Sequence, residues 1–409
     1  MLNRFVLGAA LLLAPWLAQA GIVFQPHLSE YSKLPPGQYT EATLVWTQIK
    51  GIYDGSGNDI KIGTPFVPEG ASTDAALGLF KMLWIGNAFR DTDIPILKDH
   101  AQFCRFIGVL GYQQNTEQIA DRSRLFGLRP GANGLGDLFT LCGIYSHDYL
   151  WGPVKANGLF ATTVKWPIGR YDRDAILNIG TNYWTVIPQF AFHSEIFGRI
   201  YIDGTVAYQI NGDNDEPSAG GLTPTRIADW LNVEVNFAYK LSEHWFVDLG
   251  YSYRGSVGSN TYDQLTVNFE EQPLSPESAC NNTNNGLGSI GIDPAVTPEI
   301  CNNPGLDQFY LNPRPGPYSD RGVHGRAITT GLYYVYRTSS VINLRAFIPI
   351  SGRGSQITAT YDVCTSQPCN ESTSGGVTVD TELFGVQEAA AISSSPFFEL
   401  RFVYLFWAP

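Results

Sequence analysis

Trp184-Thr185-Val186-Ile187-Pro188-Gln189-Phe190-Ala191-Phe192-His193 is the stretch whose reading decides the fold. Taken at every second residue, Trp184, Val186, Pro188, Phe190 and Phe192 share one side, and Thr185, Gln189, Ala191 and His193 share the other. After a short interruption Ile200, Ile202, Val206 and Tyr208 oppose Arg199, Asp203, Thr205 and Gln209. Side chains of a strand alternate between faces, so each segment has one greasy face and one polar face. In a soluble antiparallel sheet the greasy face would cover a core. In a membrane barrel it meets lipid, and the polar face lines a wet interior.

The N-terminus favours the barrel. Arg4 supplies a positive start, Val6 to Leu13 is apolar, and Ala18-Gln19-Ala20 is a small-x-small cleavage site, so residues 1–20 read as a secretory signal peptide and 21–409 as the barrel. Gly21 follows the cleavage site where a lipid-modified chain would have cysteine. The formal net charge is −12, one unit more negative once Arg4 leaves, and without a basic patch this argues against nucleic acid as a partner. No later segment approaches the run of about 18 apolar residues that a membrane helix needs, which leaves spanning to strands. Aromatic residues at 13%, charged residues at only 16% and 42 glycines suit strands and turns.

The alternation recurs along the chain. Ala42, Leu44 and Trp46 oppose Glu41, Thr43 and Thr47; the next strand carries Phe80, Met82 and Trp84, with Lys81 among apolar residues on its other face. Further strands fall near 101–112, 134–145 and 157–166, the last ending at Pro167, which cannot donate to a ladder. Leu231, Val233, Val235, Phe237 and Tyr239 alternate with Asn232, Glu234, Asn236 and Ala238; Trp245 to Tyr253 repeats the pattern. A long loop over 254–325 breaks the rhythm before strands near 326–336, 341–349 and 398–406. About twelve strands result, joined by alternately short and long connections. Short periplasmic turns and long outer loops are the pattern of bacterial outer-membrane barrels, and an even strand count closes the sheet. The expected fold is all-β, a transmembrane antiparallel up-and-down barrel in the outer membrane of a Gram-negative bacterium. Trp46, Trp84, Trp166, Trp184, Trp245 and Trp407 sit near strand ends, where interfacial aromatic girdles belong.

The six cysteines of an exported chain suggest disulfides. Cys280 with Cys301 and Cys364 with Cys369 are the favoured pairs, each within one polar loop, leaving Cys104 and Cys142 as a third pair. No CxxC or CxxxH spacing accompanies them, and His27, His100, His244 and His324 lack ligand spacing, so no metal and no cofactor is expected.

The polar phase of the strands defines a lumen set: Glu41, Lys81, Arg105, Asp137, Lys165, His193, Arg199, Asp203, Glu234, Asp248, Arg345, Glu399 and Arg401. Charges at membrane depth are tolerated only facing water or each other. They either form a constriction that sets selectivity, or pair across the interior and plug it. Twelve strands lie between the filled barrel of eight and the open channel of sixteen, so size does not decide. Ser146-His147-Asp148 and His193-Ser194-Glu195 contain catalytic residue types, but adjacency sends neighbours to opposite faces, so no enzyme is expected. Gly131, Gly134 and Gly136 have no following lysine or helix and read as a turn, not a phosphate loop.

Gly134-Leu135-Gly136-Asp137 before a strand, then Pro167, Gly169, Tyr171 and Asp172, then Leu177 to Trp184 and Pro188, resemble the outer-membrane family named for the meta-pathway of phenol degradation. The match covers about 134–214, and beyond it rests on spacing and on Leu34-Pro35-Pro36-Gly37. The resemblance implies a barrel that passes aromatic or other small hydrophobic compounds through the outer membrane, in contact with the bilayer and lipopolysaccharide. A structural or adhesive barrel without an open pore is the alternative.

Overall fold

A computed structural model of the chain describes residues 31, 33–53, 57, 59–61, 72–87, 93–94, 100–115, 131–173, 178–217, 224–262, 310–313, 316–320, 322–337, 340–364, 377–383 and 394–407. The proposed signal peptide lies outside them. Twelve barrel strands occur among the described residues: β1 (Gly37–Ile49), β2 (Thr73–Gly86), β3 (Gln102–Asn115), β4 (Leu138–Tyr145), β5 (Val154–Trp166), β6 (Thr185–Ile196), β7 (Ile200–Asn211), β8 (Asp229–Lys240), β9 (Trp245–Val257), β10 (His324–Arg337), β11 (Ser340–Arg353) and β12 (Phe397–Trp407). Each pairs antiparallel with its successor in sequence. β12 returns to β1, with Ala42 opposite Phe402 and Leu44 opposite Leu400. Closure leaves the barrel without an edge, so wall N–H and C=O groups find partners without water.

The exposed face of each strand is the oily one. Phe190 is 56% exposed while its neighbour Gln189 is 4% exposed, and Phe237 stands at 51% beside Asn236 at 0%. In water this inversion would be ruinous; against acyl chains it is the stable arrangement. The outward band therefore faces a bilayer. Aromatic pairs mark its rims: Trp46 with Phe398 and Trp166 with Trp184 at the long-loop end, and Trp245 with Tyr334 at the short-turn end. β6 to β7, β8 to β9 and β10 to β11 are each joined across a few residues at that second end, and the strand ends separated by the longest stretches of sequence, Val257 to His324 and Arg353 to Phe397, lie at the first. This asymmetry is that of a barrel in the outer membrane.

Several elements differ from the sequence expectation. The fourth strand is in two pieces, Gly131–Leu135 and β4, both paired to β3 and broken at Gly136-Asp137. The glycines there thus belong to a strand and its break rather than to a simple turn. β9 continues to Val257 and β10 starts at His324, so the long loop is shorter at both ends than 254–325. Loop strands appear as well: Ser355–Cys364 pairs with Tyr310–Pro313 and with Val377–Leu383 in a three-stranded sheet outside the barrel. Ile357, Ala359, Tyr361 and Val363 alternate with Thr358, Thr360 and Asp362, a strand signal that the assignment of this stretch to a polar loop passed over.

Cys104 and Cys142 form a disulfide across directly opposed positions of β3 and β4, near the short-turn end. Cys364 is disulfide-bonded, and Cys280, Cys301 and Cys369 lie outside the described residues. His244 is exposed, His100 and His324 are half-buried, and His27 is outside the described residues.

Candidate functional site

Because inward positions alternate with lipid-facing ones, any path for a solute runs over the inner wall. Twelve of the thirteen charged residues expected there do face inward, and each is less than a tenth exposed: Glu41, Lys81, Arg105, Asp137, Lys165, His193, Asp203, Glu234, Asp248, Arg345, Glu399 and Arg401. Arg199 is the correction. It sits exposed in the turn between β6 and β7, where Phe197 (φ 53°) and Gly198 (φ 64°) adopt left-handed backbone and end the alternation before Arg199 is reached.

The inner charges pair. Glu41 meets Lys81 at 2.5 Å and Arg401 at 2.7 Å. Arg345 lies 3.5 Å from Asp248, donates to Thr329 Oγ1 at 2.9 Å and reaches Asn236 Oδ1 on β8 at 3.3 Å. Tyr333 donates to Asp248 Oδ2 at 2.6 Å, and His193 Nδ1 lies 2.8 Å from Asp203 Oδ1. Buried charges survive in low dielectric only with such partners. With them, the lumen is filled here rather than open.

The side formed by β1 to β4 carries most of the apolar inward residues, among which Val45, Leu77, Leu79, Ile107, Val109 and Phe139 form one buried cluster. Toward the short-turn end it is followed by a second cluster, in which Leu83, Phe103, Leu141 and Leu159 pack with Tyr31 from ahead of β1. Asn157 Nδ2 donates to the Tyr31 carbonyl at 3.0 Å and holds that segment inside the barrel mouth. The lumen is therefore uneven: two apolar clusters lie on β1 to β5 with the charged layer of Glu41, Lys81 and Arg105 between them, and the wall from β7 round to β1 is polar, charged and hydrogen-bonded.

An inward-turned segment, 178–184, caps the first apolar cluster. Ile179 is fully buried, with its methyl near the Val109 side of Gly136. Its anchor is the break in the fourth strand. The Asp137 carboxylate accepts the backbone N–H of Gly169 and of Thr181, each at 3.0 Å, and the Thr181 hydroxyl at 2.6 Å. Lys165 Nζ donates to the same hydroxyl at 2.5 Å and sits 3.5 Å over the Tyr183 ring. Gly169 and Gly180 touch backbone to backbone; a Cβ on Gly180 would lie 2.6 Å from the Gly169 carbonyl carbon, so glycine is required there.

Sequence inspection missed several inner groups. Arg254, with its guanidinium 4.5 Å over the buried Trp230 ring, lies where the loop was placed. Asn236, Thr329, Asn343 and Tyr333 complete the polar wall but carry no charge to flag them. The apolar wall had one signal, the mixed inner face of β2 around Lys81. In the Ser146-His147-Asp148 triplet, Ser146 Oγ donates to the His147 carbonyl at 3.0 Å and accepts from Gly158 N, while the His147 ring lies against His100. Ser194 faces away from His193, as strand alternation requires.

Fold and lumen together define a transmembrane barrel with an occluded, uneven interior. A family model described as "Putative MetA-pathway of phenol degradation" matches residues 62–275, more than half the chain, and the chain belongs to that family. Its fold is similar to that of an outer membrane channel from Pseudomonas putida F1, with TM-score 0.56 and 12% identity over 93% of this chain and 100% of that one. The toluene transporter TodX of P. putida (TM-score 0.33, 11% identity, 97% and 96% covered) and outer membrane phospholipase A of Escherichia coli (TM-score 0.31, 9% identity, 93% and 94% covered) are fainter likenesses that bear no weight here. No curated protein matches the chain.

Proposed function

We propose that the barrel is an outer-membrane channel for passive uptake of small hydrophobic compounds, aromatic ones among them, and that it carries out no chemistry on them. The observation that carries this reading is the apolar cluster on the inner faces of β1 to β4. A water-filled porin interior is polar all round, whereas here Leu77, Leu79, Ile107, Val109 and Phe139 pack as an apolar cluster on the inner faces of a membrane-spanning cylinder, the polarity that an apolar solute's path requires. Membership of a family named for phenol degradation supports the same substrate class, and the related Pseudomonas putida protein is itself described as a channel. The twelve inward charged residues would bound the path, their pairing keeping water and ions off it. Outer-leaflet lipopolysaccharide and the bilayer are the surroundings such a channel works in.

The filled interior also suits the alternative, a barrel that serves only structure or adhesion. Vesicles with a lipopolysaccharide outer leaflet, which retards apolar solutes, distinguish the two. The channel should speed toluene entry severalfold over protein-free vesicles and pass few ions. Arg345→Ala, by breaking the charged wall, should raise ionic conductance. Ion flux without aromatic preference, or no flux of any kind, would reject the proposal.

A further inference from the structure

Two imidazoles meet at the short-turn end of the barrel. His100 stands just ahead of β3 and His147 just after β4, and their ring centres lie 4.3 Å apart with the planes inclined at 38°. Strand pairing brings them together. Gln102 is opposite Ile144, and the Tyr145 N–H donates to the Ala101 carbonyl at 2.9 Å, so the chain entering β3 runs beside the chain leaving β4. The two histidines are far apart in sequence, which is why no ligand spacing shows there.

The tautomer of one ring is fixed. His100 Nδ1 lies 2.8 Å from the Tyr145 carbonyl oxygen, which can only accept. Nδ1 therefore carries the proton and Nε2 the lone pair, the arrangement in which a backbone carbonyl orients a metal-binding histidine. His147 is exposed, so an ion in the periplasm can reach the pair. The spacing of the rings also selects a coordination geometry. A metal about 2.0 Å beyond each ligating nitrogen would stand about 3.1 Å from each ring centre, and centres 4.3 Å apart subtend about 85–90° at that point. A right angle suits neighbouring ligands of a square-planar or octahedral ion, whereas tetrahedral zinc would spread the same two rings to about 5.1 Å. No third histidine, cysteine or carboxylate joins the pair in a metal-binding group among the described residues, which leaves the other positions to water.

We propose that His100 and His147 form a binding site for a divalent transition metal of the nickel or copper class, which clips the connection entering β3 to the connection leaving β4 at the periplasmic mouth. The site stands apart from the solute path and does not depend on the channel reading.

Calorimetric titration of the full chain in detergent, without an affinity tag and in a buffer that does not bind metals, tests it with Ni²⁺. Saturable binding of one ion per chain is expected, with Zn²⁺ bound more weakly. His100→Gln and His147→Gln should each lower the Ni²⁺ affinity at least about tenfold. His244→Gln is the control. That histidine is exposed at the same end and has Nδ1 2.8 Å from the Val335 carbonyl, but its ring neighbours Tyr334 rather than an imidazole, so its loss should leave the affinity unchanged. With Cu²⁺, electron paramagnetic resonance should show coupling to two nitrogens in the parent and to one in each site variant. Heat-modifiable gel mobility establishes that the variants fold, and glutamine at His100 keeps an N–H for the Tyr145 carbonyl. Absence of saturable Ni²⁺ binding, Zn²⁺ bound as tightly as Ni²⁺, affinity unchanged in either site variant, or an equal loss in His244→Gln overturns the site.

Discussion

Phe190 and Gln189 are adjacent in sequence and opposite in environment, 56% and 4% exposed. If the exposed ring lies against acyl chains, Phe190→Arg places a cation in hydrocarbon and should cost about 2–4 kcal/mol near mid-depth. Urea titration of the barrel refolded in lipid vesicles measures this; a variant as stable as the parent would move that face out of the membrane. Period-two alternation made the inward charges legible one by one, because inside and outside differ by a single position. It failed at Arg199 for a local reason. A tight turn with two left-handed residues ends the strand phase, and the side chain there points to solvent whatever its parity in sequence. Charge is a strong marker of the inner face, whereas Asn236, Thr329 and Tyr333 carry a weak one, so the polar wall was only partly visible.

At the scale of elements, strand existence was legible and strand continuity was not. The sequence from Gly134 to Tyr145 has no proline or polar run to mark an interruption, yet the ladder breaks at Gly136-Asp137, and Asp137 holds the 178–184 segment by two hydrogen bonds from Thr181 and accepts a third from Gly169. The resemblance motif around Gly169 and Asn178 to Trp184 is thereby explained as an anchor and the inward segment it holds. Gly180→Val tests the contact. With 2.6 Å between its Cβ and the Gly169 backbone, the substitution should lower stability by about 1–3 kcal/mol, as overpacking does. Displacing the segment should also raise single-channel conductance. A melting transition and conductance both equal to those of the parent would show that the segment does not cap the lumen. Cys104 and Cys142, the pair left after the loop cysteines were matched, bond because pairing of β3 with β4 sets them directly opposite. That register depends on which strands neighbour each other, which only the closed barrel supplies.

For the whole molecule the question is what occludes a twelve-strand cylinder. Charged pairs fill the interior on several strands, β1 and β2 included, and Tyr31 with Leu34 packs against the apolar cluster at the short-turn mouth. Removing the residues ahead of Pro35 should therefore raise conductance severalfold in planar bilayers, with the β1 to β12 closure intact. Unchanged conductance would place the occlusion in the charged pairs alone. The sequence by itself determined the antiparallel barrel, the sorting of its connections by length and the alternation that turns most of the named charges inward, because a bilayer imposes a one-dimensional rule: alternate positions must differ in polarity. Only the tertiary structure decided that the inner surface is divided into apolar clusters and charged layers, that segments on both sides of the membrane turn inward, and that the interior is closed. Those properties arise between strands far apart in sequence, where a residue's partner is chosen by closure and stagger rather than by its neighbours along the chain.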